Sequence, residues 1–202
     1  MKTLPIYTYG FDILRKKTRR LAKIDDKVIE LVQNMFYTMH KANGIGLAAS
    51  QVGVDMALTV IDLSKIQEEE NHDPLIKYEP IILINPKVSD SAGEIVLEEG
   101  CLSLPALRSE VNRPEKVYIE YQDLDLNKQN IELAGLMARV AQHEIDHLNG
   151  ILLIDHLSKE TKRKFKENLD KIKKGEIQTN YILAAVSRKK RKTAKNNILY
   201  RI

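Results

Sequence analysis

The nonapeptide QHEIDHLNG, Gln142–Gly150, constrains this 202-residue chain more than any other stretch. Two histidines four residues apart reach a common point only on a helix, and the preceding LMARV supplies the apolar periodicity of one. Leu136, Val140, His143 and His147 follow one another at steps of 4, 3 and 4, so all four share a face. Glu144 sits one position after His143 and points about a quarter-turn away. It can therefore stand beside a metal-bound water without being a ligand itself. This is the logic of H-E-x-x-H: neutral imidazoles bind a metal and the carboxylate acts as base. A solvated helix face with incidental histidines is the competing reading, but the chain has only five histidines.

Two imidazoles need a third ligand. The metzincin pattern runs through Gly150, but Leu153 stands where its third histidine would be, and leucine binds no metal. Glu160 and Glu167 lie downstream in a lysine-rich helix that reads as exposed. Upstream, EEGCLSLP offers Cys101, the only cysteine. A lone intracellular cysteine is more often buried filler. A thiolate with two histidines, however, leaves a fourth position open for water, as a catalytic site requires.

The rest of the chain reads as one domain of α+β class, with scattered short strands and separated helices. Val28, Leu31, Val32, Met35, Phe36 and Met39 recur at helical steps over Ile24–Met39, with Asp25 or Asp26 as cap. Strands are predicted at MALTVIDL, at IILINP ending on Pro86, at Val117–Tyr121, and at NIELAG, with Asn127 in the left-handed turn between the last two. Ser64–Pro80 reads as a long polar loop, and Thr161–Lys174 as one charged helix. With no tryptophan, aliphatic side chains must fill the core. The N-terminus lacks the apolar run of a signal peptide, no segment is long enough for a membrane span, and a single cysteine allows no internal disulfide. The expected setting is soluble and cytoplasmic.

Three segments, GIGLAASQ (Gly44–Gln51), EEGCLS (Glu98–Ser103) and QHEIDHLNG, together resemble the signature motifs of the peptide deformylase family, in the same order. The resemblance implies antiparallel sheets packed around a central metal-binding helix carrying H-E-x-x-H. It implies a hydrolase of protein biosynthesis that removes the N-formyl group from the initiator methionine of nascent proteins. Carried over by position, Cys101, His143 and His147 match the metal ligands, Glu144 the general base, and Gln51 with the backbone N–H of Leu102 the oxyanion donors. The implied ion is one Fe²⁺ per chain, replaceable by Ni²⁺, Co²⁺ or Zn²⁺. Ile45, Gly46 and Gly100 match residues that pair with the substrate backbone. Leu136 and Val140 are placed to hold an unbranched methionine side chain. GIGLAA lacks the Lys-Ser/Thr of a P-loop and the G-x-G-x-x-G fingerprint, so no nucleotide cofactor is expected.

The chain departs from the family where YGFDILR lacks a proline before Leu-Arg, where the Ser64–Pro80 loop is long, and beyond Gly175. Residues 1–174 are expected to form the catalytic domain and 175–202 a basic extension. The core fold would not need that extension, and truncation after Gly175 should spare hydrolysis of a short formyl peptide. Residues 158–202 hold 15 Lys and Arg against 4 Asp and Glu, a charge of +11, while residues 1–157 hold 17 against 24, a charge of −7. The basic tail is expected to contact the ribosome. The alternative is a metal-stabilised, ribosome-associated homologue without activity, and Glu144 and Gln51 argue against it, since a structural site needs neither.

Overall fold

The computed structural model describes residues 1–64 and 79–186. Most of the predicted 64–80 loop and the RKKRK run of the tail lie outside the described residues.

Helix α1, Asp26–Lys41, starts where the Asp25 carboxylate accepts the Val28 N–H at 3.2 Å. Its buried stripe of Val28, Val32, Met35 and Met39 packs on Leu47, Leu58, Val60 and Ile84. Those residues belong to a five-stranded antiparallel sheet built from β1 (Gly46–Ala48), β2 (Leu58–Ile61), β3 (Ile81–Ala92), β6 (Lys116–Gln122) and β7 (Lys128–Ala134), in the order β1-β2-β3-β6-β7. A separate hairpin pairs β4 (Ile95–Gly100) with β5 (Arg108–Arg113), setting Gly100 opposite Arg108 and Glu99 opposite Ser109. Helix α2, Gly135–Leu148, carries the two histidines and is buried along nearly its whole length. One side joins Leu83, Val117, Ile119 and Leu133 of the sheet through Met137, Ala138, Ala141 and Ile145. The other faces the hairpin. The H-E-x-x-H helix is thus clamped between two antiparallel layers, as expected.

Three boundaries differ from the sequence reading. Strand β3 does not stop at Pro86 but runs to Ala92. Proline cannot donate to a ladder, and the pairing with β6 shifts register between Ile84 and Lys87 to pass it. In the turn before β7 the left-handed residue is Leu126, φ 62°, not Asn127. The Asp123 carboxylate accepts from the N–H groups of Asp125 and Asn127 and so organises the turn from its first residue. The predicted Thr161–Lys174 helix is two, α3 (Lys159–Lys164) and α4 (Lys166–Lys174), broken at Phe165, which packs into the core with Leu169 and Ile172.

The chain beyond Gly175 returns to the body. Ile6 N–H donates to Ile182 O at 2.8 Å and Ala184 N–H donates to Ile6 O at 2.9 Å, a short parallel pairing of Ile6 with Leu183. Residues up to about 184 are therefore part of the packed structure, against the expectation that the core does without them.

Candidate active site

Cys101 immediately follows β4, and the hairpin brings it over the histidine face of α2. The ligand atoms of Cys101, His143 and His147 all lie within 4.8 Å of one another, the one such cluster among the described residues. Cys101 Sγ is 3.2 Å from His147 Nε2, and the two imidazoles meet edge to face with centroids 5.0 Å apart. Glu160 and Glu167 are not in the cluster. The helical spacing predicted the histidine pair; Cys101, the upstream candidate, is the residue the fold adds.

A carboxylate behind the site sets the state of one ligand. Glu99, fully buried, accepts from His143 Nδ1 at 2.8 Å, from Arg113 Nε and Nη2 at 2.6 and 3.1 Å, and from Arg139 Nη1 at 2.8 Å. A carboxylate only accepts, so Nδ1 carries the hydrogen and Nε2 is left as the outward lone pair. Burial alone would raise the Glu99 pKa, but hydrogen bonds from His143 and Arg113, with the charge of Arg113, hold it far below the usual carboxylate range. Arg113 also donates to Asp146 Oδ2 at 2.6 Å, and His156 Nε2 shares that oxygen at 2.7 Å.

Electrostatics suit a cation. Burial works against a protonated His143, yet hydrogen bonds with Cys101 and Glu99 pull its pKa well above the ordinary value. Burial and the neighbouring His143 press His147 well below it. A cysteine sulfur beside two imidazoles, one of them held neutral, is the donor set of a transition-metal site. Buried atoms without a partner agree with this fit: Glu144 Oε2 and His147 Nδ1 both lie here.

Glu144 is 4% exposed, and burial, reinforced by the charge of Glu99 and opposed by that of His143, pushes its carboxyl up to about 7. The close approach of β1 depends on a missing side chain: a Cβ on Gly46 would meet Glu144 Oε1 at 2.5 Å and Val140 Cγ1 at 2.8 Å. Gln51 is buried, and its Oε1 accepts the Ala48 N–H at 2.8 Å. Its amide nitrogen is thereby turned toward Ser103 Oγ at 3.2 Å and Cys101 Sγ at 3.8 Å.

These groups open on a cleft of about 750 Å³. Every residue singled out from the sequence lines it except His147, which is buried beneath: Ile45, Gly46, Gln51, Gly100, Cys101, Leu102, Leu136, Val140, His143 and Glu144. Leu136 is 37% exposed at the mouth and Val140 is buried deeper. Sequence reasoning missed two groups. Glu99 reads from the sequence only as one of two acids ahead of Cys101, and nothing in the sequence pairs it with Arg113 or Arg139. Gln178, Thr179, Asn180 and Tyr181 line the cleft from the segment taken as dispensable, so a truncation after Gly175 removes part of its wall. Among the described residues no helix is long and apolar enough to cross a membrane.

A sequence model of the family described as polypeptide deformylase matches residues 3–163. A peptide deformylase of Chlorobaculum parvum is 42% identical over 181 residues, covering 90% of this chain and 94% of that protein. One of Salinibacter ruber is 42% identical, covering 89% and 93%. Among solved structures, a peptide deformylase from Legionella pneumophila superposes with a TM-score of 0.76 at 36% identity, covering 87% of this chain and 98% of that one. The Ehrlichia chaffeensis enzyme in complex with actinonin gives 0.76 at 37% identity, covering 88% and 100%.

Proposed function

Because the chain belongs to the polypeptide deformylase family, we propose that Cys101, His143 and His147 hold its metal and that Glu144, Gln51 and the Leu102 N–H carry out the hydrolysis. The protein is a metal-dependent hydrolase that removes the N-formyl group from the initiator methionine of nascent proteins and releases formate. The observation that carries the assignment of roles is the convergence of one cysteine sulfur, two imidazoles and a buried carboxylate with one unpaired oxygen at a single cleft.

Cys101, His143 and His147 would hold the metal, which would supply Lewis acidity toward water near neutral pH. The thiolate and imidazole set suits Fe²⁺, with Ni²⁺, Co²⁺ or Zn²⁺ as replacements. The remaining steps belong to the chain. Glu144, lifted to about 7, is matched to accept a proton from water and return it to the leaving amine. As the formyl carbon becomes tetrahedral, its oxygen gains charge, which the Gln51 amide and the Leu102 N–H would stabilise as donors. The Gln51 amide is already oriented by Ala48, so it need not reorganise during the reaction.

Ile45 and Gly46 on one side and Gly100 on the other offer backbone edges along which a peptide pairs as an added strand. Leu136 and Val140 form the wall for the methionine side chain. The inactive alternative gains no support: a structural metal site has no use for a buried carboxylate with an unpaired oxygen beside its ligands. The basic tail supports ribosome contact through its charge, opposite in sign to that of residues 1–157. The deciding experiment is formate release from formyl-Met-Ala by iron-loaded protein prepared without oxygen. Failure of that preparation, and of a Ni²⁺-loaded one, would contradict the assignment.

A further inference from the structure

Three consecutive carbonyls of the turn after β4 are each tied down, the first within the turn and the other two from distant parts of the chain. Cys101 O accepts the Leu104 N–H at 2.9 Å, and Ser103 O accepts the Tyr9 N–H at 2.9 Å. Between them, Leu102 O accepts the hydroxyl of Tyr181 at 2.8 Å. In a trans peptide unit the C=O and the following N–H point in opposite directions. The anchored Cys101 carbonyl therefore aims the Leu102 N–H, and the anchored Leu102 carbonyl stops the next unit from rotating and dragging the turn with it.

Tyr181 is held in place to do this. The pairing of Ile6 with Ile182 and Ala184 brackets it on its C-terminal side, and Thr179 Oγ1 donates to its own carbonyl at 2.6 Å. Ile6 itself is fully buried. The strip that receives this segment also holds the other oxyanion candidate, since Tyr7 N–H donates to Gln51 O at 2.7 Å. Residues 6–9 thus suspend both donors, and the C-terminal segment closes the opposite edge of the strip. The aromatic ring borders the cleft with Gln178, Thr179 and Asn180.

We propose that Tyr181 is a positioning residue for formyl hydrolysis, its hydroxyl anchoring the Leu102–Ser103 peptide unit and so steadying the turn whose preceding unit carries the Leu102 N–H, before charge develops on the substrate oxygen. This rests on the deformylase reading above. An oxyanion donor accelerates reaction only to the extent that it is fixed in advance, and of the three anchors only this one is a side chain. A single oxygen atom can therefore be removed without altering the backbone.

The test is Tyr181→Phe in the full-length, metal-loaded protein, with formyl-Met-Ala as substrate. One neutral hydrogen bond predicts a fall in kcat of roughly three- to tenfold. KM should stay within about twofold, because the bond acts on a group engaged in the transition state. Metal content should be unchanged. Hydrogen exchange of the amides of residues 101–104 should be faster than in the unaltered protein. Tyr181→Leu, which also removes the ring, should add a loss of thermal stability that Tyr181→Phe does not show. An unaltered protein that releases formate, with a Phe variant of equal kcat or equal exchange, would overturn the proposal alone. A Phe variant whose kcat falls only in step with its folded fraction would also overturn it. An unaltered protein that releases no formate under either metal overturns the deformylase reading, and the proposal with it.

Discussion

Glu99 Oε2 accepts the Nδ1 hydrogen of His143 at 2.8 Å while the same carboxylate binds two buried guanidinium groups. One side chain thus orients a candidate metal ligand and supplies the counter-charge to both guanidinium groups.

Glu99→Gln should therefore fail in two separable ways. An amide holds His143 less firmly and can present its NH₂ to the ring, so metal affinity should drop by roughly 10–100-fold. It also leaves Arg113 and Arg139 without their common counter-charge, which should cost about 3–5 kcal/mol of stability. The pH dependence has a definite sign. The folded pKa of Glu99 is depressed, so its contribution is present above the unfolded value of about 4.3 and lost as pH falls toward the folded one. The gap in Tm between unaltered protein and variant should narrow below about pH 4. A gap that widens on acidification would contradict the charge assignment.

Glu144→Gln should keep fold and metal but lose turnover by ~10²–10⁴-fold, the usual worth of a general base. In the unaltered protein Glu144 must be ionised to accept a proton. Activity should rise with pH through an acid limb at or below about 7, a bound cation shifting the limb downward from there. Measured kcat/KM increasing toward pH 5, or near-normal kcat in the Gln variant, would rule out this role.

Chelation should abolish turnover, and Fe²⁺ or Ni²⁺ should restore it. Cys101→Ala removes the thiolate and should leave protein that binds substoichiometric metal by direct metal analysis. Oxygen should inactivate the Fe²⁺ form, with Cys101 itself open to oxidation. A chelator-resistant enzyme, or a fully active Cys101→Ala variant, would mean that the ligand set is different.

Leu136→Asp is the cleaner probe of the methionine wall, because Leu136 is 37% exposed and a charge there can stay solvated. It should raise KM for formyl-Met peptides with the fold intact. Val140→Asp buries its charge and should also destabilise. Equal turnover of formyl-Met and formyl-Gly peptides by the unaltered protein would argue against an apolar pocket.

Residues 187–202 hold seven Lys and Arg and no acid. Truncation after Val186 keeps Tyr181 and should leave formyl-Met-Ala hydrolysis unchanged, while weakening ribosome co-sedimentation in a salt-sensitive manner. Equal sedimentation of the two forms at low salt would remove the tail from any such role.

The central helix was legible because its period is short: a three- and four-residue rhythm puts Leu136, Val140, His143 and His147 on one face without knowledge of the rest. Cys101 was legible once a third ligand was required and alternatives failed. Other features depend on contacts between distant segments. Arg113 and Arg139 read as ordinary charges until the hairpin folds over α2 and buries Glu99 between them. Pro86 reads as a stop because a proline cannot donate, yet an extra residue of β3 between Ile84 and Lys87 shifts the pairing with β6 and absorbs it. Tyr181 lies 79 residues from the carbonyl it grips, beyond a glycine that signals only the end of a helix.

The clasp of Ile6 by Ile182 and Ala184 also sets an order of assembly. During synthesis the first strip of chain emerges some 176 residues before its partner, counting from Ile6 to Ile182. Closing so long a loop is cheap only once the intervening sheet and helices have formed and brought its ends together. A chain whose residues 182–184 have not yet docked on Ile6 would therefore be folded but lack the Tyr181 anchor. Docking of those late residues would then appear as a separate slow gain of activity after the core has reached its native fluorescence and secondary structure.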